Sequence, residues 1–355
     1  MVVSEDCSIK SPIANRFTET LRMLCPPTAI EWMPDRMSQL FREITHEWSS
    51  QPWEGKYPFE SGICSNLTPI EMSMSISENQ DSLLRFLTQP CDPHSSRLQN
   101  LHLGASRAID LVKALSNETT ANWFNELLSD YLGWKRSIPG GNFFIWIGCE
   151  ALKSQRIILK LYVNPWFSMR YRGFPAVIRA FELCSFGSEC LEIGRFFYTS
   201  DKSVPLIIGL DLDDRGLVCL KVYWASSHMT VAKSERILEE YGTSQQREVW
   251  EWIKSDLDLH LSDTRNQEIH FGVRFVPHQA TPTVKVNLFC KHFFSSDSDV
   301  LDTLFEGAQK FGSDLSRVRR VLHGVCSDQP DENKVELFNF LGIGESKLDV
   351  YFRPW

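Results

Sequence analysis

The stretch NFFIWIGCEALKSQRIILKLYVNP, residues 142–165, decides the fold. Two runs of β-branched and aromatic residues flank the turn-forming Lys153-Ser154-Gln155, the pattern of a β-hairpin. In the second run Leu159, Leu161 and Val163 alternate with Lys160 and Tyr162, and side chains two apart share one face of a strand. One face is therefore apolar, and the other carries a lysine beside a tyrosine.

The same design returns at 68–90, 205–224, 269–289 and 336–355. The second strand of each hairpin carries a cation in its apolar run: Arg85, Lys160, Lys221, Lys285 and Lys347, at intervals of 75, 61, 64 and 62 residues. Helical patterns fill the gaps. They include SSRLQNLHLGASRAIDLVKAL, YRGFPAVIRAFELCSFG, QREVWEWIKSDL, DVLDTLFEGAQKFG and SRVRRVLHGV, with ANRFTETLRMLC and DRMSQLFREITHEW ahead of the first hairpin, at about residues 10–50. The unit is a hairpin plus helices, used five times. Five hairpins give ten antiparallel strands, and a sheet of that width curls or closes. The expected fold is α+β: a ten-stranded antiparallel barrel with helices outside, wide enough to leave a lumen, in one domain spanning 1–355.

The apolar strand faces need the helices, so the charged faces must point into that lumen. Lys160 goes there with Tyr162, Lys221 with Tyr223, Lys285 with Asn287, and Lys347 with Asp349 and Tyr351. Cations around one cavity repel each other unless an anion joins them, so the expected ligand is polyanionic. Aromatic faces stabilise an organic cation, and phenol hydroxyls can donate to phosphate oxygens. A diphosphate ester that ionises to a carbocation needs both. In the first hairpin, TPIEMSMSIS sets Glu71 on the small-residue face beside Ser73 and Ser75, which raises the same choice between solvent and a polar interior.

The formal charge of −8 argues against nucleic-acid binding through the overall field. The N-terminal MVVSEDCSIK has no signal-peptide pattern and no stretch reads as a membrane span, so the expected location is cytoplasmic, away from membranes. There the ten cysteines, without a C-x-x-C pair, read as small apolar fillers, and Asn66 and Asn117 as unglycosylated. IPGGNF reads as a turn, and His46, His102 and His270 as structural.

TPIEMS, LLRFLT, LKLYVNP, LDLDDRGLVCLKVYW and the closing VYFRPW resemble the aromatic prenyltransferases of the dimethylallyltryptophan synthase type, whose fold is the PT barrel. The resemblance runs from about Glu60 to the C-terminus, and the length is nearer that of compact bacterial members. It implies that Glu71 accepts the indole N–H of the acceptor, and that Arg85, Lys160 and Lys221 bind diphosphate, with Arg274 and Lys285, Lys347 and Arg353 as further candidates. It also implies that Tyr162, Tyr223 and Tyr351 shield the allyl cation. Two departures stand out: Asn287 where the repeat suggests another tyrosine, and Cys219 where the family often has arginine. Trp166 and Trp224, close after the second and third Lys-x-Tyr pairs, are candidates to stack on the acceptor, with core packing as the other reading.

The expected activity is transfer of a dimethylallyl or geranyl group from its diphosphate to the indole of tryptophan or a tryptophan-derived metabolite. No metal ligand set is expected, because no D-D-x-x-D motif occurs; DLDDR at 211–215 reads as turn aspartates, and magnesium as dispensable. Three alternatives stay open: a peptide or phenolic acceptor, a non-catalytic isoprenoid-diphosphate-binding barrel, and a prenyl-diphosphate cyclase.

Overall fold

A computed structural model describes residues 11–354 except 26–28, 55, 62, 64–67, 78–81, 133–142, 168–170, 200–202, 226–230, 258–268, 280, 314–315, 317–318, 320–333 and 346. Two helices, α1 (Ile13–Leu24) and α2 (Met33–Ser49), come first. The first hairpin is β1 (Ile70–Ile76) with β2 (Ser82–Thr88), followed by α3 (Arg97–Leu115) and α4 (Glu118–Leu132). The second is β3 (Ile145–Leu152) with β4 (Ile157–Val163), then α5 (Phe174–Leu183) and α6 (Ser188–Thr199). β5 (Val204–Asp213) and β6 (Gly216–Ala225) lead to α7 (Val231–Tyr241) and α8 (Ser244–Asp256). β7 (Ile269–Phe275) and β8 (Thr283–Phe289) lead to α9 (Cys290–Phe293) and α10 (Asp297–Lys310), and β9 (Phe338–Ile343) with β10 (Leu348–Phe352) ends the chain. α6 has no counterpart among the expected helices, and SRVRRVLHGV lies mostly outside the described residues.

All ten strands are antiparallel and each pairs with its neighbours in chain order; β1 then pairs with β10 and closes the barrel. Closure leaves no unpaired strand edge. The alternation read from the sequence holds. On β4, Leu159, Leu161 and Val163 are fully buried on the outer face, and on β6 Val222 and Trp224 are as well. The helices supply what those faces need: Phe17 of α1 stacks on Phe41 of α2 at 4.0 Å, and both meet Phe86 of β2 edge-on. Rings of this size bury large apolar areas, which is what fastens helix to barrel.

Local chemistry fixes the joints. Ser96 caps α3 in a reciprocal box with Gln99. Asp213 pairs with Gly216 across the β5–β6 turn, where Gly216 takes φ 123°, a conformation other residues avoid. The described cysteines are all buried except Cys184, as expected of apolar fillers.

Candidate active site

Pairing register sorts the lumen into levels. At one level each second-strand residue faces a small first-strand partner: Arg85 with Ser73, Lys160 with Gly148, Lys221 with Gly209, Lys285 with Gly272 and Asp349 with Gly342. One pleat away, about 7 Å along the strand, lie Leu87 with Glu71, Tyr162 with Trp146, Tyr223 with Ile207, Asn287 with His270 and Tyr351 with Phe340. The first level lines a polar chamber of about 430 Å³, the second an apolar chamber of about 550 Å³. Glu71, Leu87, Tyr162, Tyr223 and Tyr351 line both and form the belt between them.

This register corrects the fifth repeat. Asp349, 64 residues after Lys285, occupies the level where the other hairpins carry a cation. Lys347 sits nearer the hairpin turn at the chamber's mouth, its side chain 40% exposed and its Nζ 3.8 Å from Asp349.

The polar chamber is not a bare cluster of cations. Among the described residues, six lysine or arginine and five aspartate or glutamate side chains line it. Lys160 Nζ lies 2.7 Å from Glu150 and 2.9 Å from Asp211, and Lys221 Nζ 2.5 Å from Asp211. Asp349 takes Arg85 at 2.7 Å and Lys285 at 2.5 Å, and accepts a hydrogen bond from Ser75. Sequence reasoning missed Glu150 and Asp211 and gave Asp349 no role. DLDDR was misread at Asp211, which lies within β5 facing the lumen; Asp213, beside Arg156, does accept a turn hydrogen bond from Arg215 N. An acid two residues after the glycine on the first strands of the second and third hairpins (GCE, GLD) was the signal available.

Burial pushes these carboxyls up, but the adjacent cations outweigh it. Lys160 and Arg85 hold Glu150 at about 2, and Lys160 with Lys221 holds Asp211 well below the usual range. Asp349, between Arg85 and Lys285, is also far below it. All three stay ionised and hold the ammonium and guanidinium groups in fixed positions. Arg274 lines the same chamber and hydrogen-bonds Cys219. It thus delivers, from the neighbouring strand, a guanidinium to the place where Cys219 lacks one.

Glu71 differs. It is 7% exposed, and burial raises it to about 7 despite opposing contributions from a hydrogen bond with Asn339 and the charges of Lys285 and Arg85. Asn339, on β9, escaped the sequence reading because it lies off the repeat, opposite the bulge between Tyr351 and Phe352. A carboxylate poised near neutrality, with one oxygen held by an amide, can accept an N–H and later a proton.

The three tyrosines are held as neutral phenols by burial. Tyr162 lies over Gly209 and Tyr223 over Gly272: a Cβ on either glycine would come 3.2 Å from the ring. Glycine on each neighbouring strand is what lets the rings lie flat against the wall. Tyr351 takes a hydrogen bond from Lys285 Nζ at 2.5 Å, and the same ammonium lies 4.6 Å from its ring centre.

Two expected contacts lie elsewhere. Trp224 alternates outward with Val222 and stacks on Phe197 at 5.7 Å beneath the helices, so it belongs to the outer core. Arg353 follows Tyr351 away from the polar chamber and lies 3.5 Å from Glu336, at the end of the barrel opposite the diphosphate candidates. Trp166 does line the apolar chamber, with its indole N–H donating to Pro205 O at 2.7 Å. Among the described residues no group of three His, Cys, Asp or Glu is arranged to hold a metal, and no helix is long and apolar enough to cross a membrane.

Comparison with known proteins agrees with this architecture. A 5-dimethylallyltryptophan synthase from Streptomyces coelicolor superposes with TM-score 0.76 at 16% identity, covering 97% of this chain and 98% of that one. A 6-dimethylallyltryptophan synthase from Micromonospora olivasterospora, solved with DMASPP and Trp, gives TM-score 0.76 at 16% identity over 97% of both chains. The NotF prenyltransferase gives 0.69 at 18% identity over 96% and 92%. No curated protein matches in sequence. The sequence model of the tryptophan dimethylallyltransferase family matches residues 45–321, most of the chain. With the closed ten-stranded barrel and its layered lumen, that match makes this chain a member of the tryptophan dimethylallyltransferase family and a prenyltransferase.

Proposed function

We propose that the protein transfers a dimethylallyl group from its diphosphate to the indole ring of a tryptophan-derived acceptor, without a metal. One observation carries the reading: a near-neutral carboxylate, Glu71, stands in the tyrosine belt one pleat from a level of preorganised cations. The diphosphate binds Arg85, Lys160, Lys221, Arg274, Lys285 and Lys347 in the polar chamber, and its allyl carbons reach the belt. As the C–O bond breaks, its electron pair leaves with the diphosphate, and the cations take up the developing charge; fixed charges of this kind contribute several kcal/mol. Tyr162, Tyr223 and Tyr351 surround the allyl cation and keep water out.

The indole lies in the apolar chamber with its N–H on Glu71. Ring electrons form the new C–C bond, and the ring proton then leaves to a base, Glu71 or the departing diphosphate. Holding both partners across one belt supplies the proximity that a bimolecular alkylation lacks in solution. Glu71 suits an N–H acceptor, because a carboxylate that accepts a hydrogen bond gives the indole N–H a partner and raises electron density in its ring. A carrier would need neither Glu71 nor the belt. The test is to incubate purified protein with dimethylallyl diphosphate and an indole panel in chelator, and to follow addition of one C5 unit by mass spectrometry. A product that is lost in Glu71→Gln supports the reading; absence of product with every indole, or full dependence on added magnesium, overturns it.

A further inference from the structure

We propose that the two substrates use opposite ends of the barrel: the allylic diphosphate enters and leaves through the ring of hairpin turns, meeting Lys347 first, and the acceptor comes in past Trp166. This rests on the donor and indole readings above and goes beyond them. Exposure in the polar chamber rises toward the turns. The side chain of Asp349 is 2% exposed, that of Lys285 17%, and that of Lys347, two residues nearer the β9–β10 turn, 40%. Ser77, Thr283 and Gly344, which flank three of the turns, line the same chamber, and the exposed Glu345 puts it in contact with solvent there. Lys347 Nζ stays 3.8 Å from Asp349, whereas Arg85 and Lys285 come within 2.7 Å of that carboxylate. Lys347 is therefore placed to receive an anion from solvent and pass it inward to the two deeper cations.

At the far end the wall is different. Trp166, 38% exposed, lines the apolar chamber with its indole N–H fixed on Pro205 O, and Leu206 and Ile207 continue the same wall. A polyanion coming from this side would leave water among apolar side chains and pass Glu71. It would then cross the belt, where the rings of Tyr162 and Tyr223 lie 5.9 Å apart, before reaching Lys285, the cation that touches the belt at Tyr351. Through the turns the same anion meets Lys347, then Arg85 and Lys285, with no belt to cross. The acceptor has the reverse preference, because an indole buries apolar area as it moves in past Trp166. Chambers of about 430 and 550 Å³ take one partner each. The reacting carbons meet at the belt, and the diphosphate departs by its own mouth without passing the prenylated product.

The test follows association and release of labelled inorganic diphosphate by rapid filtration over the immobilised protein. Two exposed positions mark the mouths: Glu345 at the β9–β10 turn, and Val204, 40% exposed, next to Pro205. At about 0.1 M salt, where a charge acts over about 10 Å, Glu345→Lys is expected to speed association by about threefold, an effect that fades at higher salt. Val204→Lys stands at the opposite end of the ten-residue β5, roughly 30 Å from its turn, and is expected to leave association unchanged. Saturating 3-methylindole is expected to leave diphosphate release unchanged as well. No acceleration in Glu345→Lys, acceleration in Val204→Lys, or release slowed by bound 3-methylindole overturns the inference, the last because both partners would then share one mouth. Failure of diphosphate to bind overturns the donor reading with it. If 3-methylindole is never alkylated, the indole reading alone falls, and the two charge variants still decide the entrance. Thermal melts check that both variants are folded.

Discussion

Asn339 Nδ2 donates to Glu71 Oε2 at 2.5 Å and to Ile63 O at 3.2 Å, so β9 tethers the carboxylate on β1 to the segment that precedes it. The bond favours the ionised form of Glu71, against a burial that favours the neutral one. With that balance at about 7, prenylation is expected to depend on pH in the physiological range. Because the carboxylate is the form that accepts an N–H, kcat/KM is expected to fall as pH drops through about 7. Asn339→Ala is expected to move that acid limb to higher pH, with Asn339→Ser restoring part of the shift; a pH–rate profile checks it.

Glu71→Gln is expected to lower transfer by about 10²–10⁴-fold, the usual range for a lost acid–base group. It is also expected to stabilise the fold. A carboxyl raised from 4.5 to about 7 on folding favours the native state most below 4.5 and loses that contribution as pH rises through 7. The deficit, at most about 3 kcal/mol, disappears in the amide. Melting curves should show a higher Tm for the variant at pH 8 and little difference at pH 4.

Asp211→Asn is expected to destabilise the protein, because it leaves Lys221 without its partner and Lys160 with Glu150 alone. Inorganic diphosphate supplies replacement oxygens. It is therefore expected to raise the Tm of the variant more than that of wild type, in a thermal-shift titration.

Tyr223→Ala opens the belt beside Gly272. Water then reaches the allyl cation, and the ratio of prenyl alcohol to prenylated indole is expected to rise, measured by chromatography of both products with labelled donor.

The hairpins were legible because period-two alternation and turn residues are local properties of a strand. The levels were not, because register is decided between strands. Spacing alone selected Lys347, two residues short of Asp349, and a two-residue offset changes depth in the lumen without changing face. Trp224 failed for the complementary reason: one residue past Tyr223, it sits on the other face of β6. Glu150 and Asp211 were hidden because a carboxylate at a strand end looks like turn chemistry until its partner on the next strand is known. The glycines at 209, 272 and 342 recur about as regularly as the cations, and mark positions that tyrosine or lysine leans over.

The layered lumen amounts to a coordinate system. Hairpin number fixes a side chain's direction around the axis, and position along the strand fixes its depth, so the two can change independently. Moving a carboxylate from the first hairpin to the same level of another, at Trp146 or Phe340, would keep its distance from the diphosphate and rotate the point at which the indole N–H is held. A different ring carbon would then face the allyl cation. In such a barrel, ring position is a matter of azimuth, and ionisation of the donor is a matter of depth.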